Sequence, residues 1–221
     1  MLSDTEIQYN RQMENTEKLY QRALWLAIIT VGYNLLEGLV AIYYGVADET
    51  LALFGFGVDS FIEVLSGAGI IAMVLRIRSN PNTERSQFEI TALRITGVSF
   101  YILAVGLGAT VIVNLISGHK PETTLAGLII AIISIATMWL LIRAKRDVGG
   151  KLNSAPILAD ANCTLVCLYM SVALLVSSAV YELTGFGFVD SLGAAVLIYY
   201  SISEGKEAFE KARGIECACE D

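Results

Sequence analysis

Long apolar runs separated by short polar connections fill almost the whole chain. Runs of about 20 apolar residues cross roughly 30 Å of hydrocarbon at about 1.5 Å rise per residue. Such runs fall at approximately 24–46, 51–75, 92–116, 124–143, 157–181 and 187–205. The pattern predicts an all-α integral membrane protein with six transmembrane helices. The sixth is the weakest, because Ser201, Ser203 and Glu204 dilute its end. Pro81, Pro121 and Pro156 lie in connections or at the start of a span, where a missing N–H does least harm.

The flanks divide the chain further. Residues 1–22 are polar and carry both signs of charge, unlike the basic start and apolar core of a signal peptide, so no cleavage is expected. The expected organisation is a cytoplasmic N-terminal segment over 1–22, a six-helix transmembrane domain over 23–206, and a short cytoplasmic tail over 207–221.

Charge adds an orientation, since cytoplasmic connections collect lysine and arginine. Arg11, Lys18 and Arg22 precede the first span, and Arg76, Arg78, Arg85 and Arg94 flank the second connection. Arg143, Lys145, Arg146 and Lys151 surround the fourth, and the tail region adds Lys206, Lys211 and Arg213. These fourteen lie on one side and Lys120 alone on the other, so both termini are expected in the cytoplasm. Composition agrees with a membrane protein: 55% hydrophobic, 17% charged, mean hydropathy +0.60. Membrane lipid is the expected surroundings, and the formal net charge of −7 argues against a nucleic-acid partner.

Against that background GFGVDSFIEVLSG, residues 55–67, raises a question. Each carboxylate at membrane depth costs roughly 3 kcal/mol, yet Asp59 and Glu63 lie four residues apart and project from one helix face. One reading is a structural pair, one member protonated and hydrogen-bonded to a neighbouring helix. The other is a binding site. The fifth span repeats the spacing in SAPILADANCTLVCLYMS, with Cys163 and Cys167 also four apart. Cysteine is a frequent small apolar filler, so either alone says little; the pair says more. Counting at 1.5 Å per residue places Cys163 and Cys167 roughly 9 and 15 Å from the inner end, and Glu63 and Asp59 about 18 and 24 Å along a longer, tilted span. The four can therefore meet. Two carboxylates and two thiolates form a donor set suited to Zn²⁺ or Cd²⁺. The four cysteines show CxxxC and CxC spacing rather than CxxC, and are read as reduced thiols.

These motifs resemble the cation diffusion facilitator (cation efflux) family across nearly all six spans. VDSFIE at 58–63 looks like the family's second-helix motif, and ADANCTLVC at 159–167 like the fifth-helix motif in frame, with cysteines in place of His and Asp. The resemblance implies metal ligation by Asp59, Glu63, Cys163 and Cys167, and it matches FVDSLG, with Asp190, to the last helix. It also implies a homodimer with the third helix as a contact, transport out of the cytoplasm, and location in the inner or plasma membrane. The chain as given ends soon after the sixth span, so the expected fold is a cation-efflux-type bundle without the family's C-terminal cytoplasmic domain.

Secondary candidates follow. Asn34 and Glu37 in YNLLEGLV lie near the carboxylate level and are candidate accessory residues for metal or proton; Glu37 either fills that role or is a packing residue hydrogen-bonded to Asn34 or a tyrosine. Asp160 is a third candidate accessory residue for metal or proton, with a structural role or one at the cytoplasmic mouth favoured over direct ligation, and Glu89 and Glu182 suit snorkelling at span ends. Cys217 and Cys219 in ECACED are either a capture site for soft cations or a tail without a role, and His119 is read as a solvated loop residue. Gly67, Gly69, Gly106, Gly108, Gly127 and Ala131 permit close helix approach.

The function that follows is a membrane transporter exporting zinc-like divalent cations, not an enzyme, with no prosthetic group. Protons are the expected counter-ion in an alternating-access antiport. Alternatives are a membrane thiol oxidoreductase using Cys163 and Cys167, and a metal-sensing membrane protein that transports nothing.

Overall fold

The computed structural model describes residues 4–47, 51–79, 85–117, 125–184 and 188–214. They form six helices: α1 (Asp4–Ala47), α2 (Leu51–Ser79), α3 (Arg85–Ser117), α4 (Leu125–Leu152), α5 (Ala155–Thr184) and α6 (Phe188–Ala212). Five carry stretches long and apolar enough to cross a membrane: Met13–Ala47, Phe56–Ser79, Gln87–Val113, Gly127–Leu152 and Ala155–Ala173. α6 falls short of that measure among the described residues. The helices outrun the apolar runs. α1 continues unbroken from the polar start, and α6 extends to Ala212, which is buried beside Leu93 and Ala159.

Packing sets a clear topology. α1 lies against α2 and α4, α4 against α5, and α5 against α2, closing a four-helix ring. α3 and α6 pair with each other and lean on α2 and α5 from outside. Glycines set two of these crossings. A Cβ on Gly57 would stand 2.9 Å from the Gly38 carbonyl oxygen, and one on Gly97 would stand 3.3 Å from that of Gly205. Only a missing side chain lets the backbones approach so closely. Gly67 and Gly69 also face neighbours, Val31 of α1 and Ile95 of α3, whereas Gly106 and Gly108 meet nothing within 4 Å in this chain. The outer faces are apolar and exposed, as at Val105 and Ile116 of α3, which suits a lipid surrounding.

The link between α4 and α5 is tight. Ser154 N–H reaches the Gly149 carbonyl at 3.0 Å and Asn153 N–H reaches that of Gly150 at 3.1 Å, with Asn153 at φ 48°. This is a Schellman closure with asparagine in the left-handed position. Ser154 then caps α5, and its hydroxyl donates to Glu89 of α3 at 3.3 Å. The fourth connection is therefore two residues long. Lys145, counted among the charges of that connection, stands on α4 only 2% exposed. Its site is the bundle interior.

Candidate metal centre

Each ring helix turns a polar stripe inward at helical spacing. α1 offers Thr30, Asn34 and Glu37; α2 offers Asp59, Ser60, Glu63 and Ser66; α5 offers Asp160, Cys163, Thr164, Cys167 and Ser171. α4 adds Ser134 and Lys145. All are buried. Apolar clusters close the stripe at both ends: Tyr20, Ala27, Met73, Val148, Leu152 and Ile157 near the α4–α5 turn, and Ala41, Leu53 and Phe56 at the far end.

Inside, the polar groups sort into three levels. Nearest the α4–α5 turn, the Lys145 ammonium pairs with Asp160 Oδ2 at 2.7 Å, donates to Thr164 Oγ1 at 2.7 Å, and stands 3.9 Å from Glu63 Oε1. Thr164 in turn donates to Glu63 Oε1. Ser66 donates to Asp160 Oδ1 at 2.7 Å, so the 3.1 Å contact between Ser66 and Thr96 runs from the Thr96 hydroxyl. At the far level, Glu37 accepts from Tyr33 at 2.8 Å and from Ser60 at 3.1 Å. Ser171 donates to Ser134 at 3.2 Å beside it.

The middle level holds the residues singled out by sequence. The Cys167 thiol faces both Asp59 and Glu63. Cys163 is within electrostatic range of the same carboxylates but packs among Ile62, Phe100, Leu103 and Val166. Both thiols are free and buried. Neither oxygen of Asp59 has a hydrogen-bond partner, nor has Glu63 Oε2 or Asn34 Oδ1. Buried polar atoms are almost always satisfied, so three unpartnered carboxylate oxygens within one turn of α2, two on Asp59 and one on Glu63, mark a place built for something else. In this conformation, among the described residues, no three His, Cys, Asp or Glu side chains are close enough to hold a metal ion.

The sequence profile of the cation efflux transmembrane domain matches residues 24–213. The chain belongs to the cation efflux family. It is an integral membrane protein. The cation efflux chain is also 30% identical over 140 residues to an uncharacterized transporter of Methanocaldococcus jannaschii, covering 61% of this chain and 49% of that protein. Over 163 residues it is 28% identical to transmembrane protein 163 of Xenopus laevis, covering 73% of this chain and 57% of that protein. The chain spans about half the length of these curated relatives.

Other expected residues in this cation efflux chain fall as follows. Glu37 is bonded to Tyr33, not Asn34, whose amide donates to the Thr30 carbonyl at 3.0 Å. Asp160 lies within the interior network rather than at a solvated mouth. Cys217, Cys219 and His119 lie outside the described residues, as do the side chains of Asp190 and Glu182. Lys145 and Thr164 were missed. Their signal was present in sequence as the helical spacing Asp160, Thr164, Cys167, Ser171 and as a lysine seven residues inside the true end of α4.

Proposed function

We propose that the chain exports zinc-like divalent cations, with cadmium or another soft cation also accepted, by antiport with protons. In this reading Asp59, Glu63, Cys163 and Cys167 bind the cargo, and the helices alternate access between the two sides. The observation that carries it is Asp59, with both oxygens unpartnered, and the unpartnered Oε2 of Glu63 one helical turn away, facing the Cys167 thiol inside a closed polar interior. A divalent cation would neutralise charges whose burial is otherwise costly.

Ligation requires deprotonated carboxylates and thiols, so metal arrival releases protons and incoming protons release metal. That competition supplies the coupling. Glu37, one helix away with its Tyr33 and Ser60 bonds, is placed to relay a proton or add an oxygen ligand. Cys163 must turn from its apolar neighbours to join the site, and drawing the four donors together is the closure that loads the carrier. The transport unit is residues 23–206, with 1–22 and 207–221 on the cytoplasmic side, in the inner or plasma membrane as a homodimer. Cys217 and Cys219 would deliver soft cations to it.

The test is zinc or cadmium flux in proteoliposomes holding the full chain. Flux is expected in the wild type and absent in Asp59→Ala and Cys163→Ala; undiminished flux in both variants removes the site assignment.

A further inference from the structure

Lys145 is the feature that the cargo site does not absorb. A fully buried lysine with three N–H donors is held by Asp160 Oδ2 and Thr164 Oγ1, both at 2.7 Å, and its remaining approach is to Glu63 Oε1 at 3.9 Å. That last distance exceeds a hydrogen bond but leaves the charges strongly coupled between two buried side chains. The ammonium and the cargo would therefore address the same carboxylate from opposite sides: Oε1 faces Lys145 and Thr164, and Oε2 is unpartnered. Asp160, second partner of the lysine, is not in the proposed ligand set.

We propose that Lys145 is a resident stand-in for the transported cation, its ammonium supplying positive charge to Glu63 when no metal is bound and yielding Glu63 to the metal while remaining on Asp160. The inference rests on the reading of Asp59, Glu63, Cys163 and Cys167 as the cargo site. It has two consequences. Metal binding competes with an attached charge, so affinity is held below what the four ligands alone would give. The empty carrier also crosses between its two forms with Glu63 still compensated, which a carrier must do once per cycle of net transport but not during exchange of metal for metal.

The experiment uses the full chain, purified and reconstituted, with zinc ion alone as probe. Lys145→Met is expected to bind zinc at least about fivefold more tightly than wild type, because the intramolecular competitor is gone. Its net zinc transport should fall about tenfold or more while zinc-for-zinc exchange stays near wild type, and Lys145→Arg should return both affinity and net transport toward the wild-type values. Asp160→Asn, which leaves the ammonium only Glu63 as a charged partner, should bind zinc more weakly than wild type. The double variant Lys145→Met with Asp160→Asn should bind more tightly than Asp160→Asn alone, and it carries the test if Lys145→Met does not fold.

Zinc affinity in Lys145→Met equal to or below that of wild type overturns the proposal, as does equal loss of net transport and exchange in a variant that still binds zinc. Absence of flux in the wild type would instead remove the transport reading, and the binding comparison would still judge the lysine. Unchanged zinc binding in Asp59→Ala would remove the cargo site and with it the competition proposed for Lys145.

Discussion

Thr164 of α5 donates its hydroxyl proton to Glu63 of α2 and accepts a hydrogen bond from Lys145 of α4 at 2.7 Å. One side chain thereby joins three helices. Thr164→Val keeps the shape but strips a partner from both charged groups, so the full chain should lose about 1–3 kcal/mol of stability. Thr164→Ser should recover most of it. Thermal melts in detergent check both, and equal melting of Val and Ser variants would mean the hydroxyl carries no such load.

Asp59 is buried with both oxygens unpartnered, a cost that a bound cation would offset. Asp59→Asn should raise the metal-free stability by on the order of 1 kcal/mol while removing transport, the usual exchange of stability against function at a strained site. A melting curve and a flux assay on the same preparation read the two effects. A variant that melts lower would indicate that Asp59 already has its partner.

Cargo binding should itself stabilise the fold. At a zinc concentration about 100 times the dissociation constant the gain is about 2.7 kcal/mol, reversed by a chelator. Replacing Cys163 and Cys167 by Ser should shrink this shift more for cadmium than for zinc, because the softer ion relies more on sulfur. Parallel melts with the two metals give the comparison, and equal losses would argue against thiolate ligation.

Glycine at the α3–α6 crossing is required by space. A Cβ on Gly97 would stand 2.9 Å from the Phe209 ring and 3.3 Å from the Gly205 carbonyl oxygen, whereas one on Gly106 meets nothing within 4 Å. Gly97→Val should cost about 1–3 kcal/mol through overpacking, and Gly106→Ala should be neutral within about 0.5 kcal/mol. The pair of melts separates packing from helix propensity.

Much of this is legible in the sequence alone. Charge in an apolar run singled out Asp59 and Glu63, and helical spacing added Cys163 and Cys167; the fold puts all four in the interior, with Cys167 facing the carboxylates and Cys163 half turned toward α3. Lys145 was hidden for a physical reason. RAKRDVGGKLNSAP contains adjacent glycines and several cations, the usual marks of a connection, and the positive-inside count treats every such lysine as solvated. Tertiary packing overrides those local signals: Val148 and Leu152 are buried in the apolar cluster near the turn, which holds α4 helical through both glycines. Likewise, Ser66 and Thr96 look like ordinary small residues until Asp160 and the ammonium give them something to solvate.

The Schellman closure at Asn153 has a mechanical side. Only two residues separate α4 from α5, and Lys145 is tied to Asp160 and Thr164 at 2.7 Å each, which favours these three side chains moving together. Glu63 arrives on α2, from the opposite wall. The rocking proposed for transport would then be felt at the 3.9 Å gap between ammonium and carboxylate, which would make that gap a strain gauge: a probe or crosslink spanning positions 63 and 145 would report the stroke while one spanning 145 and 160 stayed silent.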